Sequence, residues 1–227
     1  MMHNGMPPFE FDVINYWSEV KLDIIKDYAR AYSTIMAKQQ WCKGHIYIDA
    51  FAGAGMHISR ATGEFIPGSP LNAVNTIPPF SHYYLIDLDS KEFQNVTVFD
   101  GDCNNVLMTE VFPSLLAEKF CRSLCILDPY GLHLNWNVVK AAGQSCTIEI
   151  FLNFPVADIN RNALWNQPNQ VKPEQAARLT AFWGDESWRA VLDVVNLDRR
   201  TDRGAGLHPE RDLCASSDIC EPRSDHR

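Results

Sequence analysis

The chain predicts an α/β protein with a doubly wound, mainly parallel, Rossmann-like sheet, and three features carry that prediction. Short apolar runs rich in β-branched and aromatic residues recur from residue 46 onward. Segments with helical spacing separate most of them, so strands alternate with helices. Four successive runs end in an acidic residue. Parallel strands bring their C-terminal ends to one sheet edge, where doubly wound folds bind ligands.

The elements follow in order. Residues 1–16 have the Pro and Gly content of a loose N-terminal arm. From Trp17 onward, Trp17, Val20, Ile24, Tyr28, Tyr32 and Ile35 recur at three- and four-residue steps, predicting a helix that lays this face on the sheet, with Ser18 as its cap. "IYIDA" (46–50) reads as a strand buried on both faces. A long loop, 51–68, carries Gly53 and Gly55. A helix enters at "GSPLNAVN", with Ser69 capping and Pro70 in the first turn. Strands follow at "HYYLIDLD" (82–89), "VTVFDGD" (96–102), "SLCILDPYG" (123–131) and "TIEIFLNFP" (147–155), with helices at 104–119 and 134–143.

Two segments depart from this scheme. Only "SKEFQN" separates Asp89 from Val96, whereas a parallel crossover with its helix needs about ten to twelve residues; an irregular connection is expected there. Residues 193–227 lose apolar periodicity and become rich in Arg, Asp and Ser, a composition that buries too little to order itself. The organisation expected is therefore an arm (1–16), one α/β domain (17–192) and a tail (193–227).

Composition narrows the function classes. At 227 residues, 46% of them hydrophobic, the chain supports one sizeable core. A formal charge of -8 argues against charge-driven nucleic-acid binding over the whole surface, though a local basic groove is compatible with it. The seven cysteines form no C-x-x-C pair and no regular spacing, which speaks against a disulfide framework or a zinc site and for reduced, buried thiols. No apolar run reaches membrane-spanning length and no signal layout opens the chain, so a cytoplasmic protein without a membrane is expected.

The acids at the strand ends are Asp49, Asp87 (with Asp89), Asp102 and Asp128. Crowded into one cleft they would repel each other, and a ligand bringing cationic or donor groups would relieve that cost. Alternatively, each caps a loop or a helix N-terminus. A dinucleotide would want its pyrophosphate on a helix opened directly by the glycines, but here the helix begins well after Gly55. S-adenosylmethionine fits better. It has no phosphate, its carboxylate can meet backbone N–H groups at the bend, and its ribose and adenine suit acids after the next two strands. A weaker reading takes Asp87 and Asp89 as a magnesium site for phosphoryl transfer.

"KLDIIKDYARAYSTIMAKQ", "IYIDAFAGAG", "GEFIPGSPLNAV", "HYYLIDLD", "GDCN", "LDPYGLHLNW", "EIFLNFPVADINRN" and "ARLTAFWGDESW" together resemble the three-Cys-motif partner (TcmP) family, from about Trp17 to Trp188. That family is similar to class I S-adenosylmethionine-dependent methyltransferases. The cysteines in its name belong to a separate, radical-SAM-like partner, so the resemblance implies a three-Cys-motif protein as partner. It also implies that Asp49, Gly53 and Gly55 hold the methionine end, Asp87 the ribose, and Asp102 with the Cys103 backbone the adenine. The family pattern has a full helix between "IDLD" and "VTV" and further sheet-forming sequence after "ESW". This chain has neither, so a sheet lacking its C-terminal strands is expected; one explanation is an internal deletion plus a frame change near Leu192, which the nucleotide sequence would test.

"DPYG" (128–131) resembles the Asp-Pro-Pro-Tyr loop of methyltransferases that act on exocyclic amines. By that resemblance Asp128 and the Pro129 carbonyl accept amine hydrogens and Tyr130 stacks on an extruded base, making the acceptor a nucleic acid or related molecule. The second proline is missing here, and Asp, Pro and Gly at positions one, two and four equally suit a type I turn. Trp183 and Trp188 read as burial anchors. His57 and His133 lie near the cleft edge without an evident acid partner, and Arg161 reads as a surface or carboxylate-paired residue. An S-adenosylmethionine-binding enzyme and a non-catalytic partner protein of the same fold are the two leading expectations.

Overall fold

Five parallel strands with helices packed on both faces form the centre of the molecule. The computed structural model describes residues 11–53, 55–86, 95–161 and 171–190. In chain order come β1 (Asp12–Ile14), α1 (Tyr16–Met36), β2 (Gly44–Asp49), β3 (Met56–Ser59), β4 (Phe65–Pro67), α2 (Ser69–Val74), β5 (His82–Ile86) and β6 (Val96–Phe99). Then follow α3 (Cys103–Val106), a π-helical turn (Leu107–Val111), α4 (Phe112–Ala117), β7 (Cys121–Leu127), α5 (Trp136–Ser145), β8 (Ile148–Leu152), α6 (Val156–Ile159) and α7 (Pro173–Trp183).

The main sheet runs β6-β5-β2-β7-β8, all parallel. β2 is the first of these strands in the chain, and the order reverses direction beside it, between β2 and β7. This arrangement is compatible with a Rossmann-like fold, in which such a reversal opens a crevice at the strands' C-terminal ends. Beyond β8 the described residues add helices and no further strand.

Alternation along the strands divides the core into two layers. Tyr47, Leu124 and Ile126 face one side and pack with Ile25, Ala29 and Tyr32 of α1 and with Phe80 and Tyr83. Ile46, Ile48, Cys125 and Leu127 face the other, against Leu107, Val111, Val138 and Leu179. The helix from Cys103 to Ala117 widens into its π turn just before Pro113, where the Phe112 N–H bonds the Leu107 carbonyl. Pro113 has no N–H to offer the preceding turn, which explains why the regular ladder gives way there.

The structure corrects four sequence expectations. First, α1 buries Leu22, Ile25, Ala29, Tyr32 and Ser33, while Trp17, Ile24, Tyr28 and Ile35 of the expected face stay exposed. The large side chains misled the reading. Small Ala29 lets the helix approach the sheet, and buried Ser33 is satisfied there by His45 Nε2 at 2.8 Å and by the Pro78 carbonyl. Burial in turn holds the His45 pKa below its ordinary value. Second, Asn15 caps α1, its Oδ1 accepting from the Ser18 N–H at 3.1 Å. Third, β1, β3 and β4 form a separate three-stranded sheet where an arm and a loop were expected. Fourth, α2 takes Gly68 at its cap position, with Ser69 inside the first turn. The short connection after β5, with Asp87 and Asp89, and the tail from residue 193 lie outside the described residues.

The face assignment of α1 is testable at adjacent positions. Ile25→Ala, emptying a fully buried site, should lower unfolding free energy by about 2–5 kcal/mol. Lys26→Ala, on the solvent side, should change it by less than about 0.5 kcal/mol. Denaturant titration of both variants checks the difference.

Candidate functional site

The C-terminal edge of the sheet is assembled from the ends of β2, β6, β7 and β8, the start of α1, and the small sheet. α1 runs antiparallel to the strands it covers, so its first turns reach the same edge.

β2 ends in Asp49, which has no solvent exposure. Its Oδ1 accepts from the Phe51 N–H at 3.2 Å, and its Oδ2 accepts from the Tyr47 hydroxyl at 3.3 Å. Desolvation pushes its pKa up to about 6; hydrogen bonding from Ser69 and from the Phe51 backbone pulls the other way, and nearby Asp128 adds to the rise. Asp49 thus organises the bend that follows it. In that bend Gly53 and Gly55 have φ of 65° and 74°, the left-handed region that glycine adopts without strain. A β-carbon on either would have no neighbour within 4 Å, so open space lies beside the bend. The bend is held from behind. The Gly68 N–H donates to the Gly55 carbonyl at 2.8 Å, and a β-carbon on Gly68 would sit 3.0 Å from the Gly55 backbone.

Asp102 follows β6 and caps α3, its Oδ1 accepting from the Asn105 N–H at 3.1 Å. This is the helix-cap alternative, realised. Asn104 then ties this loop to the one after β7, donating to the His133 carbonyl at 2.9 Å and accepting from the Asn135 N–H at 2.6 Å. Cys103 points into the core, where burial raises its thiol pKa to about 12.

Asp128 is partnered by the protein itself. Lys21 Nζ lies 2.6 Å from Oδ2, and Asn153 Nδ2 donates to Oδ1 at 2.7 Å. The carboxylate therefore joins α1, the end of β7 and the end of β8. Tyr130, two residues on, is 74% exposed, and the chain turns at Gly131 with φ of 61°. Asp49 and Asp128 come together across the β2–β7 reversal, while Asp102 sits in its own cap. Asp87 lies outside the described residues. Strand-end acids were expected to repel in one cleft; Asp49 and Asp128 do so, Lys21 offsets the charge of Asp128, and Asp102 stands apart as a helix cap.

Lys21 escaped the sequence reading, and no local pattern flags it: its role depends on where α1 docks. A groove of about 520 Å³ opens beside it, lined by Asn15, Trp17, Lys21, Ile24, Phe151 and Asn153. His57 does have an acidic neighbour, because Asp12 is its register partner in the β1–β3 pair. Burial nonetheless keeps its pKa below the ordinary value, Asp12 opposing and Lys21 reinforcing the shift. Trp188 is buried, with Nε1 donating to Thr180 Oγ1 at 2.9 Å. Trp183 packs edge-on against Phe154, and Arg161 pairs with Asp158 at 3.7 Å. All three match their expected structural roles. Among the described residues no cluster of His, Cys, Asp and Glu is arranged to hold a metal ion, and no helix is long and apolar enough to cross a membrane.

No family model matches the chain, and neither does any curated protein. Among solved structures it is similar to the crystal structure of protein LPL1258 from Legionella pneumophila str. Philadelphia 1, of family-model DUF519. That likeness has 16% identity and a TM-score of 0.42, covering 59% of this chain and 66% of that one. A similarity so distant has no bearing on activity.

Two outcomes follow from the geometry. A folded-state pKa near 6 for Asp49, above the usual carboxylate value, means that the fold binds this proton more tightly than the unfolded chain does. Its stabilising contribution is full below about pH 4 and is lost as pH rises through 6, a span of about 3 kcal/mol. Asp49→Asn should remove that slope, so the stability difference between variant and wild type should change between pH 4 and 7 in denaturant titrations. Asp128→Ala strips Lys21 and Asn153 of their partner and should cost about 1.5–3 kcal/mol of stability, read as a lowered thermal midpoint.

Proposed function

We propose that this domain binds S-adenosylmethionine at the C-terminal edge of its parallel sheet and acts as a methyltransferase-like protein of the three-Cys-motif partner type. The observation that carries this reading is the turn after β2. A buried Asp49 braces a bend whose two left-handed glycines border open space, beside the reversal of strand order where parallel α/β sheets accept ligands.

The residues fit such a ligand. N–H groups of a glycine bend suit a carboxylate, and the absence of β-carbons lets the ligand approach the backbone closely. Asp87 would take the ribose diol, and Asp102 with the Cys103 backbone the adenine, as the resemblance implies. When bound, the ligand supplies an electrophilic methyl group. An amine acceptor, in a nucleic acid or a related molecule, would meet Asp128, the Pro129 carbonyl and Tyr130.

One observation favours a second reading, a non-catalytic partner that keeps the fold. The Asp128 carboxylate is occupied by Lys21 and Asn153, so an acceptor amine would have to compete with an ammonium already in place. Turnover assayed with the three-Cys-motif protein present separates the two readings.

Calorimetry on the full-length protein tests the proposal itself. S-adenosylmethionine should bind, and Asp87→Ala should weaken it by about ten- to a hundredfold through lost hydrogen bonds to the ribose. Undetectable binding by a folded sample would overturn the assignment.

A further inference from the structure

We infer that the chain forms a two-fold dimer in which β8 pairs antiparallel with β8 of a second copy and the exposed stripe of α1 packs on its counterpart. Two independent features of one side of the molecule lead to the same axis.

The first is the edge strand. β8 has β7 on one side and, among the described residues, no strand on the other. The Ser123 N–H bonds the Thr147 carbonyl and the Asn153 N–H bonds the Leu127 carbonyl, so Thr147 and Asn153 turn their peptide groups toward β7. With a period of two, Glu149 and Phe151 do the same, and Ile148, Ile150 and Leu152 direct N–H and C=O groups outward. An antiparallel pair centred on Ile150 exchanges both bonds there and joins Ile148 to Leu152 of the second copy. Glu149 then lies opposite Phe151, so the two acids do not oppose each other.

The second is the stripe that α1 leaves unburied. Trp17, Lys21, Ile24, Tyr28, Ala31 and Ile35 follow steps of four and three residues, the spacing of a helix–helix seam. Five of them are exposed, and Lys21 is partly buried by its bond to Asp128. About the point midway between Ile24 and Tyr28 this stripe is complementary to itself when reversed. Ile24 meets Tyr28, Trp17 meets Ile35, and the long Lys21 meets the small Ala31.

The two centres coincide. The Tyr28 hydroxyl donates to Glu149 at 2.7 Å and its ring packs on Phe151 at 5.3 Å, the residues flanking Ile150. The groove between Ile24 and Phe151 is where the second copy's stripe lands. A single axis perpendicular to the sheet thus satisfies the open peptide groups and the exposed apolar stripe together, as an isologous interface requires, and yields one continuous ten-stranded sheet.

Sedimentation velocity and hydrogen exchange on the full chain test this. Wild type should sediment with twice the 25.8 kDa chain mass, and the amides of Ile148, Ile150 and Leu152 should be protected. Ile24→Glu, at an exposed position that the monomer fold does not need, should halve the mass, keep the far-ultraviolet circular dichroism and expose those amides. Ile35→Glu should act in the same direction. A dimer that survives both substitutions overturns the proposal. So does a monomeric wild type, and edge amides protected in that monomer would show that another part of the chain covers β8.

Discussion

Gly44 through Asp49 pair in parallel with Cys121 through Ile126, and both strands are shielded on both sides by the two core layers. Tyr47 anchors one layer and Ile46 with Ile48 the other. The register also sets where the strands stop: Asp49 lies beside Ile126, so Asp128 arrives just past the same edge. Shifting that pairing by one residue would send Tyr47 and the isoleucines to opposite layers and turn Asp49 away from Asp128. The bend at Gly53 and Gly55, the cap at Asp102 and the anchoring of Lys21 all inherit their positions from it.

Much of this was legible beforehand because it rests on local pattern. "IYID", "HYYLI", "VTVF", "SLCIL" and "IEIFL" are apolar runs of strand length, and each forms a strand. What the sequence hid was relational. α1 carries two apolar stripes about a quarter turn apart, and large side chains favoured the wrong one. The choice between them depended on Ala29 and on a partner for Ser33 some distance along the chain. The hairpin of β3 and β4 was missed because its strands are only four and three residues long, too short to show alternation, and are held by β1 from the other end of α1. Asp49 ends its strand and Asp128 directly follows one, whereas Asp102 lies three residues past Phe99, and their similarity as letters concealed three electrostatic situations: a desolvated brace, a helix cap and an ion pair.

The ion pair bears on how any ligand would be held. With Lys21 on Asp128, the edge presents a neutralised floor between α1 and the end of β8 rather than a concentration of negative charge. Selectivity there would rest on shape and on backbone hydrogen bonding at the glycine bend, with bulk charge contributing little. The overall acidity of the chain and the local character of this edge are therefore separate properties.

The central position of β2 also constrains the order in which the molecule can be completed. Preceded by α1 and made before its sheet neighbours, this strand must wait for Cys121–Ile126 before its second edge is closed. At ordinary elongation rates that delay is on the order of ten seconds. At first only α1 can cover Tyr47, and once β5 has followed, β2 still lacks its second neighbour. The two core layers around β2 therefore cannot close until Cys121–Ile126 has been made, so the order of synthesis and the order of strands in the sheet run against each other.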